Sequence, residues 1–206
     1  MFIIKKLITL FSLSLAALGT AVAQSDGGAE KLVRQITMDV IDTAKTDKAI
    51  QGGDFGRILA LVETKVMPHV NFEVMTRSAV GPKWREATAE QRSKLQTEFK
   101  TLLVRVYSGA LSQLKDQQVE ITKTLPVQGS TQLVVQSEVR GKGEPIKLDY
   151  RLDKAADAAW KIIDVNVGGL WLVQNYRSQF AQAIGQGGID GLIANLVERN
   201  KAAAKS

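Results

Sequence analysis

From residue 118 onward the apolar side chains stop recurring every three or four positions and begin to alternate, a change of period that calls for helices packed on a sheet. Val119 and Ile121 alternate with Glu120 and Thr122. Leu133, Val135 and Val139 alternate with Gln132, Gln136, Glu138 and Arg140, and Ile146, Leu148, Tyr150 and Leu152 with Lys147, Asp149, Arg151 and Asp153. One apolar and one polar face per strand marks half-buried antiparallel strands. GKGEP at 141–145 joins the second and third strands, and DKAADAA leads into a fourth around Trp160 to Val167. In that last strand the apolar set changes parity between Ile162 and Ile163, as a β-bulge or burial on both faces requires.

Helical spacing flanks the strands. Leu32, Val33, Ile36, Val40 and Ile41 predict a helix over about 29–50, which QGGD then breaks. Ile58, Leu59, Val62 and Val66 predict a second before Pro68, and Phe72, Val74 and Met75 a short third before Gly81-Pro82. The longest begins at TAEQ, where Thr88 caps and Gln91 reaches back to close a capping box. Its stripe of Phe99, Leu102, Leu103, Val106, Tyr107, Ala110, Leu111 and Leu114 is wide enough to cover a sheet. Two more helices, about 170–184 and 189–200, close the chain. The expected architecture is α+β: a four-stranded, mostly antiparallel sheet with helices gathered on one face.

Composition narrows the chemistry. Lys5 and Lys6, the apolar run Leu7 to Leu18 and the small residues of Ala21-Val22-Ala23 form an export leader, with cleavage expected after Ala23. Residues 1–23 are therefore read as a signal peptide and 24–206 as one domain. Of 27 Lys and Arg, two lie in the leader, so 25 stand against 21 Asp and Glu, a mild excess that favours anionic surfaces. No basic stripe, zinc-finger or P-loop pattern points to nucleic acid or nucleotide. Cys is absent and His69 is the single histidine, which removes disulfides and the clusters that zinc and thiol chemistry need. No carboxylate loop for a hard metal is visible. Neither a metal nor a cofactor is expected.

The stretch DVNVGGLWLVQNYRSQF, 164–180, places Gly168-Gly169 at the end of the sheet and Leu170, Trp171, Leu172 and Val173 at the start of a helix. An apolar cluster there either plugs a core or lines a cavity mouth. One turn further on, Tyr176 and Arg177 suit a phosphate or carboxylate, or a surface ion pair. Trp84, in the turn GPKWRE, serves as a packing anchor or wall.

The run VMPHVNFEVMTRSAVGPKWREATAEQRSKLQTEFKTLLVRVYSGAL, followed at a distance by WKIIDVNVGGLWLVQNYRSQFAQAIGQGGIDGLIANL, resembles the MlaC family of periplasmic phospholipid-binding proteins, also called toluene-tolerance proteins. The resemblance spans about residues 30–200 and is carried by Pro68-His69, Met75, Trp84-Arg85, Glu98-Phe99 to Tyr107, Asp164-Val165, Tyr176-Arg177 and Gly188-Ile189-Asp190. Val70, Asn71, Gly168 and Trp171 depart from the family's pattern. The resemblance implies an NTF2-like fold whose sheet and helices enclose the acyl chains of a diacyl phospholipid cargo. It implies a periplasmic monomer, without catalytic residues, that carries lipid between an outer-membrane lipoprotein–porin complex and an inner-membrane ABC transporter with its lipid-binding subunit. The expected walls are Trp84, Leu102, Leu103, Val106, Tyr107 and Leu111 from the helices, Val135, Val139, Leu148, Tyr150, Val165 and Val167 from the sheet, and Leu170, Trp171 and Val173 at the rim, with Tyr176 and Arg177 at the head group. The alternatives are an enzyme on the same fold, which needs an Asp, Tyr or His facing the cavity, and a periplasmic adaptor with a solid core.

Overall fold

The computed structural model describes residues 26–141 and 143–204; the expected signal peptide lies outside them. Helix α1 is Asp26–Thr46. The single helix expected over 29–50 ends there, because the Asp47 carboxylate accepts the N–H groups of Ala49 and Ile50 and caps a new short helix, α2, Lys48–Gln51. Helix α3, Phe55–Leu61, widens into a π turn at Val62–Val66 and tightens into a 3-10 turn at Met67–His69 around Pro68. Helix α4, Phe72–Val80, follows.

Helix α5, Ala89–Ser112, carries the predicted capping box: Thr88 Oγ1 accepts from Gln91 N at 3.2 Å, and Gln91 Oε1 accepts from Thr88 N at 2.9 Å. Gln91 also donates to Asp190 Oδ1 at 2.8 Å, tying the start of α5 to the C-terminal helix. Thr88→Ala is expected to cost about 1 kcal/mol, read as a lower urea midpoint at unchanged slope.

Strands β1, Gln118–Pro126, β2, Leu133–Arg140, β3, Ile146–Lys154, and β4, Trp160–Val167, pair in sequence order, all antiparallel. The parity change in β4 is a bulge. Arg151 pairs with Asp164 and Leu152 with Ile162, so Ile163 is the extra residue. The sheet has a fifth strand where a helix start was expected: β5, Leu170–Trp171, folds back on β4. Gly168 and Gly169 have φ of 59° and 95°, the two consecutive positive values of a tight hairpin turn. With the turn placed there, Trp171 becomes the cap of helix α6, Leu172–Ala203. The two terminal helices expected are the two arms of α6, which breaks at Gly187 and Gly188; Gly188, at φ 64° and ψ −159°, occupies a region open to glycine alone.

The core has two parts. One, between α1, α3 and the sheet, holds Val33, Ile36, Ile58, Val135, Tyr150, Leu152 and Ile162. The other holds Phe72, Met75, Leu95, Phe99, Leu172, Tyr176, Phe180, Leu192 and Leu196, where α4, α5 and α6 meet. Helix α1, not α5, lies on the sheet; α5 packs on α3, α4 and α6. The reason is that the stripe of α5 is divided, with Leu95, Phe99 and Leu102 spent on the helical core and the remainder turned toward the space beside the sheet.

Candidate functional site

An apolar cavity of about 160 Å³ lies at the junction of the two cores. Its walls come from five parts of the chain. The π and 3-10 turns give Val62, Val66, Met67 and Val70, α4 gives Phe72 and Met75, and α5 gives Lys100, Leu103, Val104, Tyr107 and Leu111; Val165 of β4 and Leu172 of α6 close it. Residues 100, 103, 104, 107 and 111 share one helix face by their three- and four-residue spacing. Val70 and Val165 pack against both cores and so mark the seam. The polar groups in the wall sit at its edge. Lys100 Nζ pairs with Glu63 at 2.5 Å, and burial raises the Tyr107 phenol above its ordinary pKa.

The sheet face beside this cavity is apolar but incompletely covered. Register places Val139, Ile146, Leu148, Val167 and Leu170 on the same face as Tyr150, at the end away from α1. Ile146 and Leu170 are 52% and 62% exposed there, and Val106 of α5 is 54% exposed.

Of the residues expected from sequence, Leu103, Tyr107, Leu111 and Val165 come together in the cavity. Leu102 is buried in the helical core, and Val135 and Tyr150 in the core under α1. Leu148 and Val167 pack half-buried at the margins of the two cores, and Val139 is half-buried on the sheet face. Val106 and Leu170 are not enclosed, because α5 packs on other helices and Leu170 sits on the edge strand. Trp84 is buried among α4, α5 and α6, with the Arg92 guanidinium 5.4 Å from its ring.

Trp171 is turned to the opposite face of the sheet. It pairs with Asn166, which faces away from Tyr150, and its ring lies 4.8 Å under the Arg151 guanidinium. The two-residue turn pairs Val167 with Leu170 and so sets this parity, which the cluster Leu-Trp-Leu-Val could not reveal. Val173 follows it to the far side, lining a separate groove together with Arg177. Tyr176 does not reach solvent as a head-group ligand should; it is 3% exposed, its ring 5.0 Å from Phe99 and 5.6 Å from Phe180. Sequence reasoning missed Val62, Val66, Met67 and Val70, whose approach to the sheet depends on the widened turn after α3 and on the bridge between Val70 and Ile162.

Of the groups an enzyme would need, Tyr107 is in the cavity wall, whereas Tyr150 and Asp164 lie elsewhere. Burial pushes the Tyr150 phenol up to about 12, and its hydroxyl meets Thr37 Oγ1 at 3.3 Å inside the core. Asp164 is also raised by burial, but it points to the far face, where Oδ1 accepts the N–H groups of Val165 at 2.9 Å and Val173 at 3.0 Å. Among the described residues no cluster of three His, Cys, Asp or Glu could hold a metal, and no helix is long and apolar enough to cross a membrane. The adaptor reading required a solid core, and the cavity departs from it.

Comparison with known proteins places the chain. A family model described as MlaC protein matches residues 34–198. The intermembrane phospholipid transport system binding protein MlaC of Haemophilus influenzae is 22% identical over 197 residues, 94% of this chain and 92% of that protein. The toluene tolerance protein ttg2D of Pseudomonas putida is 27% identical over 146 residues, 68% of this chain and 67% of that one. Among solved structures, a phospholipid-binding protein from Ralstonia solanacearum, in complex with a phospholipid, is 39% identical, covers 85% of this chain and 98% of its own, and superposes with a TM-score of 0.81.

Proposed function

This chain belongs to the MlaC family, and from that premise we propose that it is a periplasmic phospholipid carrier. Lipid moves on it between an outer-membrane lipoprotein–porin complex and an inner-membrane ABC transporter with its lipid-binding subunit. The observation that carries the reading is the apolar cavity between the two cores, opening beside a sheet face left apolar and partly uncovered. The solved relative's complex with a phospholipid supports it.

Energetics explain why such a cavity is needed. Each methylene taken from water is worth about 0.8 kcal/mol, so a diacyl lipid with roughly 30 of them loses on the order of 24 kcal/mol if its tails become wet. The carrier replaces that burial with Leu103, Tyr107, Leu111 and Val165, and the head group stays at the edge marked by Lys100. A cavity of about 160 Å³ is smaller than the roughly 300–1,000 Å³ of ordinary small-molecule pockets. Loading therefore widens the wedge between α5 and the sheet, using the π turn at Val62–Val66 as the place where helical geometry already yields. Transfer proceeds by relative affinity and needs no catalytic group.

Native mass spectrometry of the protein exported from a bacterial host, with extraction and identification of bound lipid, tests this. The expected result is about one diacyl phospholipid per chain. A uniformly lipid-free mass from gently handled protein rejects the carrier function.

A further inference from the structure

On the far side of the sheet from the apolar cavity lies an open groove of about 640 Å³. Four cationic side chains line it: Arg77 from α4, Arg151 from β3, Lys161 from β4 and Arg177 from α6. Among the described residues none of the four has an ion-pair partner, although eight other pairs occur there. The two acids in the groove are otherwise engaged. Asp153 accepts from Thr131 Oγ1 at 2.8 Å and from the backbone N of Lys154 at 2.9 Å, and Asp164 holds the N–H groups of Val165 and Val173.

The cations are held by contacts other than ion pairs, although Arg151 stands opposite the Asp164 carboxylate across the β3–β4 pair and its charge acts on that group. Arg151 stacks on Trp171, and Lys161 donates to the carbonyl of Pro68 at 2.7 Å. The Arg151 Nε is buried and has no hydrogen-bond partner. Such a group is costly to leave unmatched unless something else satisfies the guanidinium. Val74, Ile163 and Val173 supply an apolar floor between the charges.

We propose that this groove is the docking site for an acidic peptide segment of a partner protein, with its carboxylates on the Arg and Lys side chains and its apolar residues on the floor and on Trp171. The cations come from four elements around a volume much larger than one phosphate, so a single small anion leaves most of them unmatched. The groove is concave, so a flat membrane surface meets its rim and misses the floor. Three of the four cations are Arg, the side chain whose planar fork matches a carboxylate with two hydrogen bonds. The site stands on the side of the sheet away from the lipid cavity and does not depend on the carrier function.

The test uses the whole exported protein and a short fluorescein-labelled peptide alternating Glu with Leu, followed by fluorescence anisotropy. Saturable binding is expected, weakening about tenfold or more as salt rises from about 0.05 to about 0.3 M. In ¹⁵N spectra the shifts should gather on the amides of Asp164 and Val173 and on the Trp171 indole. The double variant Arg77→Glu/Arg151→Gln should bind about tenfold more weakly, with unchanged circular dichroism and lipid content. If it fails to fold, Arg177→Glu on the exposed face of α6 replaces it, with a smaller loss expected. Absence of saturable binding, equal binding of a Lys-Leu peptide, or unchanged affinity in the folded variants overturns the proposal. Binding of phosphatidylglycerol vesicles, but not of the peptide, overturns it in favour of a membrane surface.

Discussion

Leu103→Glu is expected to lower phospholipid loading by roughly a hundredfold while leaving secondary structure in place. The side chain lines the cavity from the middle of α5 and is only half-buried, so water can reach a carboxylate placed there. Cargo removes that option, because tails packed on Leu103 exclude water from the charge. Burying a polar group without a partner costs at least a few kcal/mol and a charge costs more, and each 1.4 kcal/mol is a factor of ten in affinity. The check is the lipid-to-protein ratio after extraction, with Leu103→Met as the apolar control that should keep its cargo. Equal loading in Leu103→Glu and Leu103→Met would remove this side chain from the lipid wall.

Phe99→Ala is expected to give the largest loss of stability of any single truncation in the helical core. The ring is 0% exposed and touches three others, with centroids 5.6 Å from Phe72, 5.0 Å from Tyr176 and 5.0 Å from Phe180. Truncating such a side chain costs about 3–5 kcal/mol through lost transfer energy and the cavity left behind, to which the edge-on ring contacts add. For a chain of this length each kcal/mol lowers Tm by about 2–4 °C, so calorimetry should find Tm lower by about 6–20 °C. A loss below about 1 kcal/mol would mean that the neighbouring rings close over the gap.

The α+β class, the antiparallel strands and the cap at Thr88 were legible, and the parity change in the last strand was narrowed to a bulge or burial on both faces, because each depends on residues close together in the chain. The covering of the sheet was not. The stripes of α1 and α5 both fit a sheet surface, and only the tertiary arrangement shows that α5 gives half its stripe to α4 and α6. The same limit governed the site. Leu103, Tyr107 and Leu111 were found by helical spacing, whereas the contribution of Val62 to Val70 arises from a π turn whose sequence, VETKV, reads as ordinary helix. Trp171 was misplaced by the two-residue hairpin before it, since one step of register exchanges the faces of a strand. An apolar run names what is buried but not the direction in which it points.

Each of the two cores is complete without the other. Phe99 and Phe180 are sealed within one, Ile58 and Leu152 within the other, and Val70 and Val165 bridge the joint. A molecule assembled in this way can change its internal capacity at the joint alone, since neither set of closely fitted side chains has to loosen for the gap to grow. A guest held there acts as a removable piece of interior: it completes the interior when present, and its departure leaves both halves folded.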